Sequence, residues 1–238
     1  MISIIIPALE EEKYIEDTVR QFEKLSFPHE VIVSDGHSHD RTVEISRACA
    51  DKVVVFQGAR HNPSIGRNDG AKAASGDILV FVDGSVIVPD PDAFFRRALS
   101  YFENDASFVS LSVPQWVYPE KETMTDKIML TITNWVLRIQ NNVFRRGVGS
   151  GKFMMLRRRA FEKIGGFRED LATREDGDLG LRISKVGRAY FDPKLCIYYS
   201  GRREHAMGWA RLLWMWMTNS LAVALFDKSV TEEWKPIR

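Results

Sequence analysis

Cysteine is nearly missing: Cys49 and Cys196 are the only two in 238 residues, far apart and without metal-type spacing. A disulfide scaffold and a zinc module are thereby excluded, and both thiols are expected as reduced core residues. An excess of one charge is missing too. Lysine and arginine number 33 against 32 acids, a net of +1, so bulk electrostatics give no case for nucleic acid as a partner. The apolar stretch Met1 to Ile6 stops at Pro7 and an acidic run, and so is not a signal peptide. No segment reaches the length of a secure membrane span, and the expected location is the cytoplasm. No G-x-G-x-x-G follows the first apolar run and no G-x-x-x-x-G-K-[ST] occurs. Dinucleotide and P-loop chemistry therefore lack their signatures.

What is present supports a real core. Apolar residues make up 45% of the chain and charged residues 27%, as expected of one large domain or one domain with an appendage. The organising stretch is Ser75 to Pro89. Ile78 to Val82 is a wholly apolar, β-rich run suited to a strand covered on both faces, and it ends abruptly in Asp83-Gly84-Ser85. A carboxylate there is costly if buried unpaired, so Asp83 is expected at the carboxyl end of the strand, where open α/β sheets place ligands. Gly84 permits a turn and a close approach to a ligand.

Ahead of it, Ile2 to Ile6 reads as a strand ended by Pro7, and Glu10 to Phe22 as a helix with Ile15, Val19 and Phe22 on one face. Glu30 to Ser34 reads as a strand leading into Asp35-Gly36, Thr42 to Ala50 as a helix, Lys52 to Phe56 as a strand and Pro63 to Ala74 as a helix. This alternation predicts a mostly parallel sheet with crossover helices. Asp35 and Asp83 then lie at the same edge of one sheet. Either could be a turn residue by itself; together they are the arrangement of a nucleotide site.

The second half is less regular. Phe108 to Val117 reads as a strand interrupted by Pro114. Thr125 to Phe144 carries Ile128, Ile132, Trp135 and Ile139 at helical spacing, a stripe expected to face the core. Gly147 to Lys152 is a glycine-rich loop before the apolar Phe153 to Leu156, and Arg157 to Gly166 reads as a short helix with a glycine stop. Thr173 then looks like an N-cap with Asp176 at the capping-box position. Three acids, Glu175, Asp176 and Asp178, exceed what capping requires, so one of them pointing into a cleft as a general base is the other reading.

Taken in order, these motifs resemble those of a family 2 glycosyltransferase of the GT-A fold. Ile4-Ile-Ile-Pro-Ala-Leu-Glu-Glu is similar to the family's opening strand and turn, and Val33-Ser-Asp-Gly-His-Ser-His-Asp-Arg-Thr to its base-recognition segment. Gly66-Arg-Asn-Asp-Gly-Ala, Val82-Asp-Gly-Ser, Ile164-Gly-Gly-Phe and Arg174-Glu-Asp-Gly-Asp-Leu-Gly-Leu-Arg follow in the family's order, so that the resemblance covers roughly residues 1–205. It implies a nucleotide-binding half, 1–90, an acceptor-side half, 91–205, and an apolar helix and tail, 206–238. It further implies a sugar moved from a nucleoside diphosphate, with UDP the expected nucleotide, to a hydroxyl acceptor, with inversion. Pro7, Ala8 and Glu10 would border the nucleotide, Asp35 would meet the uracil edge, and Arg67, Asp83, Gly84 and Ser85 would face ribose and diphosphate. Asp176 would be the base, with Glu175 beside it. Lys152, Arg202 and Arg203 would lie on the diphosphate or acceptor side.

The chain departs from the family in two places. Glu10 stands where Asn is usual. Ser85 stands where the second Asp of D-x-D would ligate Mg²⁺ or Mn²⁺, and a hydroxyl binds such ions far less strongly than a carboxylate. The expected metal ligands are then Asp83 and, as a replacement, His205. The Q-x-x-R-W of processive members is absent, which implies single-sugar transfer. The alternative is a non-catalytic nucleotide-sugar binder with a degenerate metal site; a nucleotidyltransferase is weaker, since it leaves Glu175-Asp176 unexplained. The tail, Trp209 to Phe226, is apolar nearly all round as a helix, and its uncharged part is about fifteen residues, short of a bilayer span. It is open to burial in the domain, to self-association in a homodimer, or to peripheral contact with the membrane's inner face. Burial against protein is the expected outcome.

Overall fold

The first strand explains why the sheet is covered on both sides. In β1 (Ile2–Ala8), Ile2, Ile4 and Ile6 join one apolar cluster and Ile5 joins another across the sheet, so apolar side chains fall on both faces of the strand. The computed structural model describes residues 1–58, 62–171, 173–231 and 237. After β1 come α1 (Ile15–Arg20), β2 (His29–Asp35), α2 (Thr42–Cys49), β3 (Lys52–Val55), α3 (Pro63–Ala73) and β4 (Ile78–Val82). Next are β5 (Val86–Ile87), α4 (Pro91–Asn104), β6 (Phe108–Ser112), β7 (Gln115–Val117), α5 (Met124–Asn142), β8 (Phe153–Arg157) and α6 (Arg158–Lys163). Then α7 (Glu175–Ile183), β9 (Arg188–Phe191), β10 (Ile197–Tyr199), α8 (Arg202–Met207) and α9 (Trp209–Phe226) complete the described elements.

Seven strands form the central sheet in the order β3-β2-β1-β4-β8-β6-β9, and β5-β10-β7 form a small second one. Within the large sheet β8 alone runs against its neighbours, so the sheet is mostly parallel, as expected. Ile15, Val19, Phe22, Phe94 and Phe95 cover one face; Ala71, Phe161, Phe167 and Leu179 cover the other. Because β2, β1 and β4 are parallel, Asp35 and Asp83 emerge at the same edge.

Several details differ from the sequence reading. Pro7 does not end β1 but pairs in register with Ser34. Its missing N–H would point towards β4, and that ladder has already stopped at Ile5, so no sheet bond is lost. Pro114 divides two strands that belong to different sheets rather than interrupting one.

The larger correction concerns α5. Ile128, Ile132, Trp135 and Ile139 are exposed, and the buried face carries Leu130, Asn134, Leu137 and Asn141. Hydrogen bonds orient the helix: Asn134 accepts from Gln115 N at 3.2 Å and donates to its carbonyl at 3.1 Å, while Asn141 donates to Val148 O at 2.7 Å. Turning the apolar stripe inward would strand those amides. Burial of α9 within the chain is partial: Trp209, Leu212 and Asn219 are buried, while Leu213, Trp214, Met217 and Leu221 are exposed.

Candidate active site

The strand ends and the amino end of α7 meet at a cleft of about 340 Å³. Its lining includes Pro7, Ala8, Arg67, Asp83, Ser85, Lys152, Glu175, Asp176, Arg202 and Arg203, all singled out in the sequence. Asp35, Glu10, Gly84 and His205 do not line it.

Arg67 is the centre of the arrangement. Asn62 caps α3 by accepting from Ile65 N at 3.0 Å, with Pro63 opening the helix, and this places Arg67 one turn in. The next residue, Asn68, bonds both the N–H and the carbonyl of Phe167, at 2.9 and 3.0 Å, anchoring the segment that leads to α7. The buried guanidinium of Arg67 donates to Glu175 at 2.8 Å and to the Gly151 carbonyl at 3.0 Å, and lies 3.8 Å from the Asp83 carboxylate. Burial alone would lower its pKa, but Glu175, Asp83 and Asp176 more than offset that and raise it. Glu175 responds the other way: burial and the Asp176 charge outweigh Arg67, and its pKa is raised.

Asp176 is half-buried, and its two oxygens accept from Gly151 N at 2.8 Å and Gly177 N at 2.6 Å. Gly151 is required for this. A Cβ there would sit 2.9 Å from the Arg67 guanidinium and 3.7 Å from the Asp176 carboxylate. The glycine loop thus passes close to side chains of the site itself. The helix does not begin as expected: Arg174, in the left-handed region at φ 68°, is the N-cap, and no side chain caps the end. Thr173 is buried with its hydroxyl unpartnered, and each Asp176 oxygen accepts from one backbone N–H group instead of joining a capping box.

On the other wall, Arg202 makes a two-toothed pair with Glu11, and Lys152 reaches Glu204 at 3.2 Å while lying 4.1 Å from the Tyr199 ring centroid. Neither Glu11 nor Glu204 was singled out in the sequence. Glu11 sits in an acidic run that reads as a helix start, and nothing local marks a partner 191 residues away. Gly84 faces Glu11, where a Cβ would lie 3.0 Å from the side chain, so its close approach is to protein. Ser85 is buried, with its hydroxyl 3.1 Å from that of Ser200.

The remaining candidates have other partners. His205 puts Nε2 2.8 Å from the buried Asp126 carboxylate, and among the described residues no group of three or more His, Cys, Asp or Glu could hold a metal ion. Glu10 lies 3.5 Å from His39. Asp35 is fully buried; it accepts from His37 N at 3.0 Å, Ser38 N at 2.8 Å and the Ser38 hydroxyl at 2.5 Å. Asp35→Ala strands two backbone donors and is expected to lower stability by about 1–3 kcal/mol. Thermal melting checks this; an unchanged melting temperature would mean that the turn does not depend on the carboxylate.

A mostly parallel central sheet with flanking helices is the GT-A fold. The chain belongs to glycosyl transferase family 2, whose model matches residues 3–165. It is 39% identical over 105 residues to 4,4'-diaponeurosporenoate glycosyltransferase of Staphylococcus haemolyticus, covering 42% of this chain and 28% of that protein. With Glycosyltransferase AglE of Haloferax volcanii it shares 24% identity over 193 residues, covering 78% of this chain and 62% of that one. The chain thus spans less than two thirds of these relatives' lengths. Among solved structures, the mannosyltransferase PcManGT of Pyrobaculum calidifontis, in complex with GDP-Man and Mn²⁺, superposes with a TM-score of 0.73 at 19% identity, covering 97% of this chain and 65% of that one. Glucosyl-3-phosphoglycerate synthase of Mycobacterium tuberculosis, with Mn²⁺, UDP and glucosyl-3-phosphoglycerate, gives 0.58 at 20% identity, covering 94% and 78%. At these identities the two structures support the fold.

Proposed function

We propose that the chain transfers a single sugar, with inversion, from a nucleoside-diphosphate sugar to a hydroxyl acceptor, and that UDP is the nucleotide. The observation that carries this reading is the pairing, across one cleft, of Asp83 at a strand end with Asp176 at a helix start, with Arg67 between them. On the donor side, Pro7 and Ala8 border the nucleotide, with Glu10, Asp35 and Gly84 shaping the strand-end turns around it. In the transfer step the acceptor oxygen bonds to the anomeric carbon as the bond to the diphosphate breaks. The electron pair leaves with the diphosphate, and the acceptor's proton passes to Asp176. The Asp176 oxygens are oriented by two backbone N–H groups and keep lone pairs for that proton. Lys152, Arg202 and Arg203 line the same cleft and suit the charge that develops on the leaving group.

Asp83, with its side chain 44% exposed, fits one ligand of a Mg²⁺ or Mn²⁺ ion that draws its others from donor phosphates and water. Such an ion, when bound, supplies positive charge against the diphosphate. Ser85 is turned to Ser200, and His205 to Asp126, so Asp83 is the ligand these candidates leave. The competing reading, a nucleotide-sugar binder without turnover, rests on that thin ligand set.

A panel of nucleotide sugars with hydroxyl acceptors, assayed with and without Mn²⁺, tests the proposal. The expected result is nucleotide release coupled to a product carrying one added sugar of inverted configuration, read by NMR. Nucleotide uptake with no sugar released from any donor would instead establish the binder.

A further inference from the structure

Two long helices close one side of the cleft with their inner faces and leave their outer faces uncovered. Thr133 and Leu137 of α5 and Met215 and Trp216 of α9 line the cleft. On the outside of α5, Ile128, Ile132, Trp135 and Ile139 stand four, three and four residues apart, all exposed. On α9, Trp214, Met217, Leu221 and Leu225 repeat the stripe at three, four and four. Trp135 is 56% exposed and Trp214 65%. The helices are tied together at their starts, because the Asp126 carboxylate accepts from Trp209 Nε1 at 2.7 Å and lies 2.8 Å from His205 Nε2. Scattered exposed apolar residues are ordinary; two ordered stripes on joined helices mark an interaction surface.

Within the segments that carry these stripes the exposed charges have one sign. Between residues 123 and 146 the only acid is the buried Asp126, and between 206 and 226 there is none. Lys127, Arg138, Arg145, Arg146 and Arg211 are all exposed there, in a chain whose net charge is only +1. The Arg138 guanidinium lies 5.1 Å from the Trp135 ring centroid, which puts a cation beside the interfacial aromatic. A layer of anionic headgroups over acyl chains complements this pattern: the stripes meet the acyl boundary, the cations meet phosphates, and the tryptophans sit between. A second copy does not complement it. A two-fold interface sets the patch against itself, cation facing cation, with no exposed carboxylate on either helix to answer. Among the described residues no helix is long and apolar enough to cross a membrane, so the contact runs along the surface.

We propose that the outer faces of α5 and α9 form a docking surface for an anionic lipid bilayer. The surface and the cleft rest on different residues, so each can fail without the other. The test sediments the full chain with vesicles of phosphatidylcholine alone or with roughly one-third phosphatidylglycerol, which gives the surface the negative potential that attracts basic segments. Binding at least about tenfold tighter to the anionic vesicles is expected. Arg138→Glu with Arg145→Glu and Arg146→Glu should remove that preference, and Trp135→Ser with Trp214→Ser should weaken binding to both vesicles. All five positions are exposed, and circular dichroism checks that the variants fold. Failure to pellet with either vesicle would overturn the proposal. So would a lipid-free dimer, seen by light scattering, that the tryptophan variant turns into a monomer.

Discussion

Asp176→Asn is expected to lower sugar transfer by about 10²–10⁴-fold, the usual contribution of a general base, while nucleotide affinity is retained. The substitution keeps the size and one acceptor oxygen, so the bond from Gly151 N or from Gly177 N can persist and α7 need not move. What is lost is the ability to take the acceptor's proton. Retained affinity is expected because the nucleotide side of the cleft is built from β1, β4 and α3, which Asp176 meets only through Gly151 and the charge of Arg67. Single-turnover transfer and calorimetric UDP titration read the two quantities separately. Glu175→Gln is the control, since Glu175 is buried and committed to Arg67. Near-full transfer by Asp176→Asn together with a dead Glu175→Gln would exchange the two roles.

How far this site could be read from the sequence depended on how local its causes are. The run Ile78 to Val82 ending in Asp83 was legible because a strand buried on both faces writes an unbroken apolar word, and its end is where the polar residue appears. The stripe on α5 was legible as a face but not as a direction. Periodicity says which residues share a side, whereas the inward turn is decided by Asn134 and Asn141 bonding backbone on β7 and the glycine loop. Thr173 read as a cap because its neighbours spell one; the left-handed Arg174 takes that position instead. Glu11 and Glu204 were invisible for another reason. Their meaning lies in Arg202 and Lys152, which folding brings to them from elsewhere in the chain. The family's order of motifs located the cleft's walls, and only the fold showed that their charges are already paired with one another.

That pairing makes Arg67→Met the substitution with the largest expected effect on stability. It should lower stability by about 3–5 kcal/mol, because removing one partner of a buried ion pair leaves the other uncompensated. For a chain of this size the melting temperature should fall by roughly 6–20 °C. Methionine approximates the stem of Arg67 but restores neither the bond to Glu175 nor that to the Gly151 carbonyl. The effect should depend on pH in a definite direction. Burial, then the Asp176 charge, raise the Glu175 pKa, and Arg67 opposes them. Without Arg67 the folded-state value rises further. An acid whose folded pKa lies above its unfolded one contributes stability below the unfolded pKa and loses it as pH rises through the folded value. The Arg67→Met deficit should therefore be full at about pH 8, where Glu175 is forced to carry an unpaired charge, and should shrink towards about pH 5, where it is protonated. Adding Glu175→Gln to Arg67→Met removes the stranded charge and should recover part of the loss at pH 8 while changing little at pH 5. Thermal melts of the wild type, both single variants and the double variant at the two pH values close the cycle. A deficit equal at both pH values, with no recovery in the double variant, would mean that Arg67 stabilises the cleft through its packing and its bond to Gly151 rather than through Glu175.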